Sequence, residues 1–119
     1  MKYLVVGSRE FYDYDKVCRV LDCIIKKDGE IISGHARGAD TLAERYALEH
    51  NIKTKIFPAD WNRYGKRAGI LRNLEMLDYI ENSKEESICI AFWDLSSSGT
   101  EFTVKNSEKR GIRTIIIAI

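Results

Sequence analysis

Four short stretches of this chain combine small residues, arginines and carboxylates in patterns suited to holding an anion. They are "GSRE" with Gly7, Ser8 and Arg9, "SGHARGAD" from Ser33 to Asp40, "ADWNRYGKRAGILRN" from Ala59 to Asn73, and "DLSSSGTE" from Asp94 to Glu101. In the second, Gly34 and Gly38 frame His35 and Arg37 just ahead of a helical pattern. Bare backbone lets a phosphate come close, a helix start offers unpaired N–H groups, and Arg37 adds a forked cation. Ser96, Ser97, Ser98, Gly99 and Thr100 repeat the arrangement before the last helix. Two such sites suit a ligand with two phosphates, or with a phosphate and a ribose. The plain alternative for each is an ordinary strand-to-helix turn, where Gly and Ser are common for local reasons.

The third stretch sets Arg63, Lys66, Arg67 and Arg72 against a single acid, Asp60, and adds Trp61 and Tyr64. Basic groups beside aromatic rings can grip a phosphate and stack on a base; a solvated turn with Trp61 pinned to the core is the other reading. Cleavage of an N-glycosidic bond would need a carboxylate to stabilise a cationic ribose or activate water. Asp40, Asp60, Asp94 and Glu101 are the candidates, although Asp40 and Asp94 are equally good turn and helix caps.

Several other chemistries lack their fingerprints. Gly7 is followed by Ser8, Arg9 and Glu10, so no GxGxxG marks a dinucleotide dehydrogenase, and no GxxxxGK[ST] marks an ATPase. His35 has no Cys or His partner at metal spacing, and His50 reads as a solvent-facing helix cap. No metal is expected, and no obligatory cofactor.

The elements that must position these loops follow from the hydrophobic pattern. Strands are predicted at 3–6, 30–33, 54–57, 87–93 and 113–119, with 87–93 as the central one. Asp13 or Asp15 can cap a helix with Val17, Val20, Leu21, Ile24 and Ile25 on its apolar face. A second helix buries Leu42, Ala43, Tyr46 and Ala47, with Thr41 and Glu44 spaced as a capping box. A third buries Ile70, Leu71, Leu74, Leu77 and Ile80, and a polar one runs from about Thr100 to Arg110. Alternating strands and helices predict an α/β fold: a Rossmann-like parallel sheet of about five strands with helices on both faces. In such a sheet all four loops gather at the carboxyl edge, where ligands bind.

The bulk properties agree. A length of 119 residues fits one domain, 1–119, and 45% hydrophobic residues suffice for a packed core. The net charge of +1, from 19 basic and 18 acidic residues, argues against a nucleic-acid coat. Cys18, Cys23 and Cys89 fit neither a disulfide framework nor a zinc site and read as reduced, interior thiols. The start, "MKYLVVGSRE", turns polar too soon for a signal peptide or membrane span, so a cytoplasmic chain without a membrane partner is expected.

Taken together, "GSREFYDYDKV", "SGHARGAD", "ADWNRYGKRAGILRN" with Met76 and Leu77 behind it, and "AFWDLSSSGT" resemble the YspA/YpsA-related branch of the SLOG superfamily, common in bacterial and phage genomes. The resemblance spans nearly the whole chain. It implies a Rossmann-like fold and a pocket for a nucleotide-derived ligand such as NAD or an ADP-ribose product, bound by a sensor or sequestering protein. More distant relatives include the LOG enzymes, which cleave the N-glycosidic bond of nucleoside monophosphates, and DprA, which binds single-stranded DNA. Carried over by position, the ligand-binding set is Gly7, Ser8 and Arg9; Ser33, Gly34, Arg37, Gly38 and Asp40; Asp60, Trp61, Arg63, Tyr64, Arg72 and Asn73; and Asp94, Ser98, Gly99 and Thr100. Two departures stand out. His35 replaces a usual glycine, which implies a narrower pocket. Glu101 follows Thr100 directly instead of a few residues on, which implies a carboxylate turned away from any scissile bond. Self-association is a further expectation from the resemblance.

Overall fold

The computed structural model describes residues 1–119. Five parallel strands, β1 (Lys2–Gly7), β2 (Glu30–Ser33), β3 (Lys53–Ile56), β4 (Ser87–Trp93) and β5 (Arg113–Ala118), form one sheet in the order β3-β2-β1-β4-β5. The central strand is therefore β1, and β4 stands beside it. Both carry continuous apolar runs because a parallel sheet covered by helices has no wet face. Hydropathy alone could not separate the two, since both are buried on both faces.

Helices α1 (Tyr14–Ile24) and α2 (Ala39–Glu49) cover one face, and α4 (Ala68–Asn82) and α5 (Ser98–Lys109) the other. The first core joins Val17 and Leu21 of α1 and Ala43, Tyr46 and Ala47 of α2 to Tyr3, Val5, Ile31, Ile90 and Phe92. The second packs Met76, Leu77 and Ile80 of α4 and Val104 of α5 on Leu4, Val6, Ile32, Cys89 and Ala91. Right-handed crossovers from β1 run outward through β2 to β3; the chain then returns to β4 and proceeds the other way. The reversal lies between β1 and β4, where Gly7 pairs with Phe92. The loops after these two strands must diverge there and leave a crevice. No helix is long and apolar enough to cross a membrane.

Local chemistry sets the helix ends. Asp13 caps α1 by accepting the Lys16 N–H at 3.1 Å. Helix α2 begins at Ala39, two residues before the predicted capping box, with Gly38 at its N-cap. Thr41 there donates back to the Gly38 carbonyl at 3.0 Å, and Glu44 turns to other partners, so no capping box forms. The box spacing was present, but the chain needed Gly38 at the turn. Its φ is +82°, and a Cβ would stand 2.3 Å from the Ser8 carbonyl oxygen. Gly38→Ala is expected to lower stability by about 2 kcal/mol or more through strain and overlap, as measured by urea unfolding.

Two more expectations change. On α4 the buried side is Ala68, Arg72, Asn73, Met76, Leu77 and Ile80, while Ile70 is 46% exposed. The stripe is rotated because Arg72 and Asn73, polar by type, occupy core-facing positions under the loops. Of the cysteines, only Cys89 is buried; Cys18 is half-buried and Cys23 is exposed on the outer side of α1.

Candidate functional site

The crevice at the strand reversal opens into two adjoining cavities. The inner one, about 460 Å³, lies between the end of β1, the start of α5 and the first turns of α4. The outer one, about 430 Å³, lies over the β2–α2 loop. Arg9, Ala36, Trp61 and Arg72 line both, so these four form the shared wall.

Arg72 anchors that wall. Its side chain is 7% exposed, donates through Nε to Asn73 Oδ1 at 2.8 Å and through Nη1 to the Gly34 carbonyl. A Cβ on Gly34 would come within 2.7 Å of Nη1 and 2.9 Å of Cδ, so only glycine leaves the guanidinium its channel. Burial lowers the Arg72 pKa; Asp40 opposes that, and Arg9 adds to it by repulsion. Two guanidinium groups thus press on one another across the wall. The Arg9 guanidinium also sits 5.6 Å from the Trp61 ring centre, and that ring packs over Gly69. Trp61 is 49% exposed and is not pinned in the core.

Asp40 forms the acidic part of the inner cavity. It is 6% exposed and accepts the Ala36 N–H at 3.2 Å. Burial pushes its carboxyl up to about 6, against the pull of that N–H, Arg72 and Arg9. The α2 start is thereby largely occupied: the Ala39 N–H donates to the Ser8 carbonyl at 3.2 Å, and the Asp40 carboxylate lies in the first turn. The α5 start differs. Ser97 stands at its cap without a side-chain cap bond, and Ser98, Gly99 and Thr100 line the inner cavity. The first N–H groups of a helix have no partner within it. This end is open to an anion.

The remaining sequence-derived candidates divide clearly. Gly7 and Asn73 reach the inner cavity, and Gly34, His35 and Arg37 the outer. Arg37 donates to Glu10 Oε1 at 2.7 Å on an exposed rim and does not stand over the α2 start. Ser8 is buried, its hydroxyl accepting the Glu10 N–H; Ser33 is buried and donates to Glu44 Oε2 at 2.6 Å. Asp60 caps α3 (Trp61–Tyr64) through the Arg63 N–H at 3.1 Å. Arg63 lies over Tyr64, and both are exposed. Asp94 accepts the Ser96 and Ser97 N–H groups at 2.9 Å each, which hold its carboxyl below the usual range. Glu101 pairs with Lys105 at 2.7 Å, outside both cavities. Of the four carboxylates considered for catalysis, Asp40 alone lines a cavity.

Lys66, in the 3-10 turn Gly65–Arg67, reaches the inner cavity, as the basic run of the third stretch suggested. Gly69 and Thr103 also line it and escaped the sequence reading of the site. Helical spacing held the signal: Gly69, Arg72 and Asn73 share one face of α4, and Thr103 lies one turn beyond Gly99 and Thr100.

The family described as "YspA, cpYpsA-related SLOG family" matches residues 1–64, which carry the β1 and β2 loops and all of α3. The chain is also similar to the Gene 61 protein of Mycobacterium phage D29, with 32% identity over 122 residues, covering 96% of this chain and 94% of that protein. No solved structure matches the chain significantly.

Proposed function

Because the chain belongs to the YspA, cpYpsA-related SLOG family, we propose that its inner cavity binds a nucleotide-derived small molecule, of the NAD, ADP-ribose or nucleoside-phosphate type, as a sensor or sequestering protein. One observation carries this reading. The open start of α5 and the cationic groups of Arg9, Lys66 and Arg72 line a single cavity at the strand reversal, with Asp40 as its only acid. A phosphate over the α5 start would meet backbone N–H groups and an excess of positive charge. Trp61 supplies a stacking surface for the base, and Asp40 an acceptor for a ribose hydroxyl.

The test is incubation of the purified protein with AMP, NAD, ADP-ribose and cyclic ADP-ribose, following melting temperature and products by mass spectrometry. At least one is expected to raise the melting temperature and remain intact. Trp61→Ala should weaken that ligand by about 1–3 kcal/mol, the usual worth of base stacking, without lowering the free protein's melting temperature, since Trp61 is half exposed. Failure of all four compounds to bind folded protein would remove the reading.

A second reading is supported by Asp40. A carboxyl held near 6 inside a nucleotide-sized cavity can take or give a proton at neutral pH. If the protein is an N-glycoside hydrolase, incubation releases free base or nicotinamide, and Asp40→Asn stops turnover while ligand binding persists.

A further inference from the structure

The outer cavity is built differently from the inner one. Its lining includes Arg9, Arg37 and Arg72 and no carboxylate, and only Arg37 has an ion-pair partner, Glu10. The fourth polar group there is His35, whose backbone takes the left-handed conformation at φ +60°. That conformation is costly for a residue with a Cβ and persists where surrounding contacts hold it. The contacts are specific. His35 Nδ1 lies 2.7 Å from Glu44 Oε1, the His35 backbone N–H donates to Ser33 Oγ at 3.3 Å, and the Ser33 hydroxyl in turn donates to the other oxygen of Glu44. Glu44 on α2 thus orients the ring through Nδ1, Ser33 on β2 holds the His35 backbone, and Nε2 is left without a protein partner; a ring protonated on both nitrogens presents Nε2 as a donor. The ring is 59% exposed and borders the cavity, so its donor is offered to solvent or to a ligand.

We infer that the outer cavity is a second phosphate subsite, contacted by His35 Nε2 and Arg37, and that the cleft selects nucleotides carrying two phosphates. This rests on the proposed function of the inner cavity. Arg9 and Arg72 stand on the wall between the two subsites and repel one another. An anion on each side converts that repulsion into shared attraction. A nucleoside monophosphate would satisfy the α5 start and leave Arg37 and an oriented histidine unused. A diphosphate, or phosphates on two positions of one ribose, would engage both cavities.

The experiment is calorimetric titration with AMP, ADP and adenosine 3′,5′-bisphosphate, on the unaltered protein and on His35→Ala and Arg37→Ala. At least one doubly phosphorylated probe should bind tenfold or more tightly than AMP. Both variants should erase most of that gain while AMP affinity stays within about twofold, on the scale of one charge-assisted contact; the AMP measurement also reports that the inner cavity is intact. His35→Gln, which keeps a donor, should restore part of the gain. If AMP binds but the second phosphate adds nothing, or if the gain survives both substitutions, the outer subsite is disproved and the inner reading stands. If no probe binds at all, the outer subsite is disproved, and the inner reading falls with it only if NAD, ADP-ribose and cyclic ADP-ribose also fail to bind.

Discussion

Arg72→Ala is expected to lower folding stability by about 3 kcal/mol and to abolish nucleotide binding, because one side chain serves the interior and the cleft at once. Removing it leaves the Gly34 carbonyl and Asn73 Oδ1 without their donor and takes from buried Asp40 a cation that favours its charged form. Breaking such a buried, hydrogen-bonded charge cluster typically costs about 3–5 kcal/mol, and relief of the Arg9–Arg72 repulsion brings the expectation to the lower end. Denaturant unfolding and ligand titration check the two effects separately. Arg72→Lys keeps the argument testable if the alanine variant fails to fold. A lysine retains the charge but cannot direct a planar fork at Gly34 and Asn73 together. It should fold with a smaller loss and bind weakly. Full ligand affinity in Arg72→Lys would show that Arg72 supplies charge alone.

Asp40→Asn should act in the opposite direction on stability. The Asp40 carboxyl titrates near 6 in the folded chain against an ordinary value of 3.8. The folded state therefore binds this proton more tightly than the unfolded one. Its contribution is fully favourable below about pH 4 and is lost as pH rises through 6. At pH 7.5 the ionised group destabilises the fold by about 2–3 kcal/mol, from the size of the shift. An asparagine still accepts the Ala36 N–H and carries no charge. The variant is expected to be more stable than the parent at pH 7.5 and indistinguishable near pH 4, in urea unfolding at several pH values. A variant less stable at pH 7.5 would mean that Arg72 holds Asp40 ionised as a net stabilising pair. A protein that keeps a destabilising carboxylate at the floor of its cleft is one in which the group serves the ligand.

Much of this architecture was legible in the residues. The runs "YLVV", "EIIS" and "SICIAFW" are short, β-rich and followed by turn residues, so strand positions and the α/β class followed from pattern alone. The loops predicted to meet at the carboxyl edge do meet there, because every strand is parallel and the crossover rule leaves no other place for them. The site was harder to read. Arg37 carried the strongest local signal, an arginine between two glycines at a helix start, yet its side chain reaches along the surface to Glu10. Arg72 carried a weak signal, lying in a pattern that read as the middle of an apolar helix face. Nothing local distinguishes the two guanidinium groups.

What the sequence by itself determined was the five strands and four long helices, the parallel arrangement of the strands and the identity of the loops at the ligand-bearing edge. Those depend on the period of apolar residues and on where glycine and small hydroxyl residues interrupt it, and both are local quantities. The short α3 and the 3-10 turn lay in a stretch that reads as a loop. Only the tertiary structure decided which charged groups enter the crevice. That choice depends on contacts between residues far apart in the chain: the absence of a Cβ at Gly34 lets Arg72 through 38 residues away, and the Ser8 carbonyl ties up the first N–H of α2. Burial then sets the charge chemistry, pushing the Asp40 carboxyl up to about 6, while the Ser96 and Ser97 N–H groups hold exposed Asp94 below the usual range. Desolvation is a property of the packed neighbourhood, and no residue type or spacing encodes it alone.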